Sequence, residues 1–329
     1  MVAKKVCILI TSYQSGRLFV IGAEDNGGVV LQQHQFDRAM GISAYQGGFV
    51  FATLHQLWRY SLMNPMDKAS NHGRPLLLPQ ACFYTGFVNC HDVAQLPGGD
   101  IIYASTLFNC VAKAALISNF EPVWAPPFIK ELVPEDRCHV NGLAVDNGKL
   151  RFVSVLGESA KKGGWRDDLS QGVIFDMRTN RVIASNLWMP HSPRVRDRRL
   201  YALESGRGSF GTLNNGKISE QLLLPGYPRG LDFCERTAAI GYSRPRPGSG
   251  DKLPLSERLK ASGIEAGCGV VLYETSTSKV FHSIHFPAGV DEIYDVAFLH
   301  GTSNPRLIHP ASNEMIKTYS VRLKTQRKN

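Results

Sequence analysis

The sequence predicts an all-β protein folded as a single β-propeller. Three observations predict it: strand-like segments recur at even spacing, helical periodicity is almost absent, and one strand–turn–strand unit returns at a mean interval of about 47 residues. The strand signals fall at residues 6–10, 17–21, 48–52, 100–104, 150–155, 200–203, 238–242 and 269–273. Each is short, rich in β-branched or aromatic residues, and bounded by Gly, Asn, Asp or Pro. The best helix candidate is one short piece, Pro254–Ala261.

The recurring unit is clearest where Ser12-Tyr13-Gln14-Ser15-Gly16 echoes Ala44-Tyr45-Gln46-Gly47-Gly48. Equivalent positions across the copies are Ile8, Met40, His91, Asn141, Ser192, Arg229 and Tyr294. Repeats of roughly 40 to 50 residues, each holding about four strands, are the mark of propeller blades. Seven copies favour seven blades, and six is the count if the first and last units share one blade. The longest interval is explained by an insertion between Arg244 and Gly267. The domain is expected to span 1–323, with 324–329 as a basic C-terminal tail.

Composition narrows the class. With 43% hydrophobic and 20% charged residues in 329, the chain is neither disordered, collagen-like nor a coiled coil. Thirty-seven basic residues against 28 acidic ones give a net charge of +9. The basic residues are scattered, apart from a cluster at 194–199 and the tail at 322–328. No strand face interleaves them with aromatics as a nucleic-acid binder would, so no nucleic-acid partner is expected. Seven cysteines without any Cys-x-x-Cys pair argue against disulfides and a zinc ribbon, and for a reducing, cytoplasmic compartment. Residues 6–11 after Lys4-Lys5 are too short an apolar run for a leader and read as a strand. Nothing approaches the ~20 apolar residues of a membrane span, and no membrane partner is expected.

The first strand of each propeller blade lines the central channel, so residues at its start converge on one mouth. Here they are polar: Asn89, His91 and Asp92; His139 and Asn141; His191, Ser192 and Arg194; Arg229; Glu292, Tyr294 and Asp295. His91, His139 and His191 form the candidate metal site, with an open position suited to Zn²⁺, Fe²⁺ or Cu²⁺ and less to Ca²⁺. On this reading His191 stands one place out of register, for Pro193 to realign. The alternative is that each histidine only hydrogen-bonds backbone. Tyr294, Arg229 and Arg194 are the candidate catalytic residues; Asn141, Trp165, Arg166 and Arg244 are candidates for holding a small polar or anionic substrate, or a peptide. For Arg244 and Arg246 the competing role is a salt bridge between blades. Asp92 and Asp295 are expected to turn away from the channel toward a neighbouring blade. Cys90 and Cys138 are expected to pack between blades. Trp165, in the connection holding Gly163 and Gly164, is either a wall for substrate or a packed loop residue. Gly206-Arg-Gly208-Ser-Phe-Gly211 fits the dinucleotide pattern but is not followed by a helix pattern, and is read as a turn.

Several motifs carry a resemblance. Glu135-Asp-Arg-Cys-His-Val-Asn-Gly-Leu-Ala, Met189-Pro-His-Ser-Pro-Arg, Gly241-Tyr-Ser-Arg-Pro-Arg and Glu292-Ile-Tyr-Asp-Val resemble a mainly bacterial family of conserved hypothetical, propeller-like proteins. The resemblance runs from Ser12 to about Pro305 and implies that the polar mouth positions belong to a pattern. More distantly, His139-Val-Asn-Gly-Leu-Ala is similar to gluconolactonase-like and strictosidine-synthase-like propellers, the first of which hold calcium through carboxylates and asparagines. Asn141 fits that idea, whereas the histidine-rich mouth looks more like zinc-dependent propeller lyases. The function expected is a metal-dependent hydrolase, lyase or isomerase, and the alternative is a non-enzymatic scaffold that holds a peptide or protein.

Overall fold

The computed structural model describes residues 1–64, 73–246, 253–286 and 288–319. Burial sorts the strands before topology does. Gly48–Ala52 and Ile101–Ser105 are buried at every position, whereas Val29–Gln35 is alternately exposed. Strands covered on both faces read as unbroken apolar runs, and strands at a rim alternate.

The chain begins with β1 (Val6–Ser12), β2 (Arg17–Ala23) and β3 (Val29–Gln35), three antiparallel strands. The next sheet is β4 (Ile42–Tyr45), β5 (Gly48–Ala52), β6 (Gln56–Met63) and β7 (Leu76–Tyr84). Then follow β8 (Cys90–Gln95) to β11 (Glu121–Trp124) through β9 (Ile101–Ser105) and β10 (Cys110–Lys113). The fourth sheet holds β12 (Val140–Asp146), β13 (Lys149–Val155), β14 (Gly172–Asp176) and β15 (Arg181–Leu187). The fifth holds β16 (Pro190–Arg196), β17 (Arg199–Glu204), β18 (Ser209–Asn214) and β19 (Lys217–Leu223). The sixth holds β20 (Tyr227–Cys234), β21 (Thr237–Ser243), β22 (Gly269–Glu274) and β23 (Lys279–His285). Last, β24 (Asp295–His300) pairs with β1 as the innermost strand of the first sheet, and β25 (Arg306–Leu307) adds to the outer edge of β7.

The result is a six-bladed β-propeller. The favoured count of seven is corrected: the first and last units share one blade, because β1 is its second strand and β24 supplies the first. The echo between Ser12–Gly16 and Ala44–Gly48 therefore joins different places. One turn links strands two and three of the closing blade, and the other links strands one and two of the next. Similar turn residues encode a similar local hairpin, not a position in a blade.

Six apolar layers fill the gaps between neighbours. Leu9 and Leu18 pack against Phe49 and Phe51, Val50 and Leu57 against Val93 and Tyr103, and Ile102 and Val111 against Val140 and Val153. Ala144 and Ile174 meet Ala202, Leu203 and Phe210 meet Leu231 and Tyr273, and Ala239 and Val270 meet Ile8 and Phe298. The innermost strands are also stapled by hydrogen bonds. Asp92 Oδ2 accepts from the Leu143 N–H (2.9 Å), Asp232 Oδ2 from Phe298 (2.7 Å) and Asp295 Oδ2 from Ile42 (3.0 Å). Each carboxylate spends its other oxygen on the N–H of its own next residue. Asp92 and Asp295 thus bond neighbouring blades, as expected, but they do not turn from the channel, because Arg194 meets both carboxylates there. Gly230, at φ +83°, allows a matching approach: a Cβ there would stand 2.7 Å from Asp295 Cα.

Pro254–Ala261 is the α-helix the sequence signalled, within the insertion between β21 and β22. No helix among the described residues is long and apolar enough to cross a membrane. The proposed tail at 324–329 lies outside the described residues.

Candidate functional site

Four blades begin with the same local device. Cys90 pairs with Ser105, Val140 with Val155, Pro190 with Glu204 and Pro228 with Tyr242, and a bulge follows, at once in three of them and one residue later, after the His191–Leu203 pair, in β16. The residue after the paired one takes the ring position at the mouth: His91, Asn141, His191 and Arg229. His191 is therefore in register with His91, which corrects the expected one-residue offset. His139 occupies a second ring, two residues earlier. Asn89, His139 and Met189 share that ring and a left-handed backbone, with φ of 52°, 58° and 52°. Such a conformation is uncommon outside glycine and tolerated best by Asn, Asp and His.

The tautomers follow from the partners. Thr106 Oγ1 gives its only hydrogen to the Val140 carbonyl (2.5 Å), so it accepts from His91 Nδ1 (2.8 Å). Ser205 Oγ donates to the Pro228 carbonyl (2.5 Å) and accepts from His191 Nδ1 (2.9 Å). His139 Nδ1 donates to the Asp136 carboxylate (2.9 Å). All three Nδ1 atoms are thereby committed, and all three Nε2 atoms are left to the mouth. Burial pushes each imidazole below its ordinary pKa, Arg229 adding to the effect, while Asp136 opposes it at His139. His91 Nε2 and His139 Nε2 nevertheless stand 3.1 Å apart. Two neutral lone pairs cannot sit so close unless a proton or a cation lies between them.

His191 does not join them. Its Nε2 lies 3.4 Å from Arg229 Nη2, so a guanidinium occupies the side where a shared ion would sit. Among the described residues, no group of three or more His, Cys, Asp or Glu side chains could hold a metal ion. The expected three-histidine constellation is thus a pair, with the third histidine held against an arginine.

The mouth opens into a cavity of about 720 Å³, within the usual range for small-molecule sites. Of the candidate residues, His91, His139, Trp165, Arg166, Arg229, Arg244 and Tyr294 line it. Two do not. Asn141 donates to the Pro190 carbonyl of the next blade (2.9 Å) and accepts from Ser154 of its own (2.7 Å). Arg194 is half-buried in the channel, paired with Asp92 at 2.8 and 3.2 Å and 3.8 Å from Asp295. Burial works against its charge, but the two carboxylates outweigh this and keep it protonated.

Four guanidinium groups line the cavity. Arg166 faces Asp136 (3.3 Å), Arg244 faces Asp291 (2.5 Å), and Arg246 takes both oxygens of Glu292 (2.6 and 2.9 Å). The last two pairs join the loop after β21 to the segment before β24, the salt-bridging role weighed for these arginines. Arg229 instead lies over the rings of Tyr294 (4.7 Å) and Tyr227 (5.9 Å). Tyr294 is 3% exposed, its hydroxyl has no hydrogen-bond partner, and burial raises its pKa well above the ordinary value despite Arg229. It is a protonated O–H donor on a side chain that lines the cavity.

Trp165 sits in a short 3₁₀ turn, Gly164–Arg166, and its ring packs 4.3 Å from His139, so it is both a packed residue and a cavity wall. Cys90 and Cys138 are buried, and burial holds both thiols far above their ordinary pKa, which rules them out as thiolate nucleophiles. The Gly206 segment is a turn: residues Ser205–Arg207 form a 3₁₀ piece and Gly208 is left-handed before β18. Residues that sequence reasoning missed include Asp136, Thr106, Ser205, Tyr13 and Tyr227. Asp136 lies three residues before His139. Thr106 and Ser205 directly follow a second strand, and Ser243 ends one. That recurrence was the available signal.

No curated protein matches the chain in sequence. Solved structures share its fold. A nidogen–laminin complex matches with a TM-score of 0.55 at 12% identity, over 90% of this chain and 99% of that one. A protein of unknown function from Bacteroides caccae matches with 0.53 at 10% identity, over 90% and 99%. A virginiamycin B lyase from Staphylococcus aureus reaches only 0.42 at 11% identity, over 70% and 75%, too distant to carry an argument. At such identities the likeness speaks for the fold alone. Residues 1–308 match a domain of unknown function, DUF4915, and the chain belongs to that family.

Proposed function

We propose that the protein is an enzyme that moves a proton on a small anionic substrate held at the propeller mouth, in hydrolase, lyase or isomerase chemistry. The observation that carries this reading is the 3.1 Å contact between His91 Nε2 and His139 Nε2, with both Nδ1 atoms committed elsewhere. Such a pair takes up and returns one proton at a fixed place, and Asp136 stabilises the imidazolium when it forms. Arg229 orients the anion, Arg244 lines the wall beside it while paired with Asp291, Tyr294 donates to developing negative charge, and Trp165 with Arg166 covers His139. Arg194 and Asn141 hold the blades that carry these groups. The test is turnover of a panel of small carboxylates by wild type and by His139→Gln. A loss in kcat of about 10²-fold or more, with ligand binding kept, supports the reading. Equal turnover by the variant, or no turnover of any ligand that binds the cavity, overturns it.

The same nitrogen pair favours a second reading, in which a divalent zinc, iron or copper ion takes the place of the proton. His91 and His139 would hold it, with water or substrate completing the coordination, and the metal would supply a Lewis acid. Calcium suits nitrogen donors poorly. Metal analysis of the purified protein decides this: no metal in wild type, or full occupancy after His91, His139 and His191 are all replaced by alanine, sinks it.

A further inference from the structure

We propose that the ligand of this cavity is a monoanion, a single carboxylate carried on a flat, unsaturated body. The inference rests on the cavity being the working site. Three of the four lining guanidiniums already face carboxylates, which leaves Arg229 as the one without a paired carboxylate among the described residues. Glu292 lies near enough for Arg229 to act on it, but both its oxygens are engaged by Arg246. A planar carboxylate fits the edge of a single guanidinium with two parallel hydrogen bonds.

The unmet hydrogen-bonding groups point the same way. Arg229 Nε, Tyr294 Oη and Trp165 Nε1 are buried and have no partner among the described residues, and their side chains line the cavity. Arginine and tryptophan nitrogens only donate, so they ask for acceptor oxygens on the ligand. The remaining walls join aliphatic side chains, Leu156, Leu169, Met189 and Leu253 among them, to a run of aromatic rings. Trp165, His139, His91, Tyr294 and Tyr13 follow one another with centroids 4.3, 4.5, 5.4 and 5.7 Å apart, a continuous arc of aromatic surface beside Arg229. Such an arc stacks a planar body and offers little to the hydroxyls of a sugar acid.

Calorimetric titration of the full chain with benzoate, cyclohexanecarboxylate, gluconate and phenyl phosphate tests this. Benzoate should bind tightest, about fivefold tighter than cyclohexanecarboxylate, from ring stacking. Arg229→Gln should weaken benzoate at least about tenfold and Arg229→Lys less, because lysine keeps the charge but not the planar fork. Tyr294→Phe, which keeps the ring and removes the donor, should also weaken it, and serves if the arginine variants do not fold. Gluconate or phenyl phosphate binding as tightly as benzoate, or benzoate binding unchanged in Arg229→Gln or in Tyr294→Phe, overturns the proposal. The two readings fail separately. Benzoate binding without turnover of any aromatic carboxylate sinks the enzyme and keeps the ligand class; turnover of a phosphate ester or sugar acid does the reverse.

Discussion

Asp136 shows what a single side chain does at this mouth. It accepts from His139 Nδ1 at 2.9 Å and meets Arg166 at 3.3 Å, so it sets the tautomer and orientation of one member of the histidine pair. It acts through His139 and is a positioning residue. Burial lowers the His139 pKa and Asp136 raises it, so Asp136→Asn should lower it further. The acid limb of the pH–kcat profile should then move to lower pH, and kcat should fall by about ten- to a hundredfold, the usual effect of losing such an orienting partner. A profile that stays in place would mean that Asp136 only braces the loop. At this scale the sequence was informative about residue type but not about role. His91, His139, Arg229 and Tyr294 were legible because polar residues at the start of inner strands are anomalous. Arg194 and Asn141 carried the same signal, yet they tie blades together. The chain spacing that places them at blade starts says nothing of whether a side chain points up into the cavity or down the channel.

The element that matters most is the end of each second strand. Thr106, just past β9, reaches over to the Val140 carbonyl of the next blade and accepts from His91. Ser205 does the same between Pro228 and His191. One hydroxyl thus joins two blades and fixes one imidazole. Thr106→Val keeps the volume but leaves a buried carbonyl without its donor, and should cost about 1–3 kcal/mol in urea unfolding. A change below about 0.5 kcal/mol, the level of an ordinary surface substitution, would remove the staple from the account. The second strands were also the most legible elements. Six of the eight sequence signals are β1, β5, β9, β13, β17 and β21, one per blade. They are sandwiched on both faces and so are continuously apolar. The outermost strands were missed because they lie at the rim, as with β23, mostly exposed.

Across the whole molecule, Arg194 is the link that no repeat unit predicts. It belongs to the fifth sheet, pairs with Asp92 of the third, and lies 3.8 Å from Asp295 of the closing one. Arg194→Met leaves two buried carboxylates without their cation, and should cost about 3–5 kcal/mol in chemical denaturation. Adding Asp92→Asn should recover part of the loss, because the two changes share one interaction. A loss as small as that of an exposed ion pair would show that the backbone staples alone hold the channel. The repeat period, the all-β class, the insertion with its helix and the polar character of the mouth were determined by the sequence itself, since each rests on patterns within about fifty consecutive residues. Tertiary structure alone decided the blade number, because ring closure pairs β24 with β1 across nearly the entire chain. It also decided which histidines meet. Bulges at the blade starts set the register there, and the fold seats Arg229 against His191 while bringing His91 and His139 to 3.1 Å.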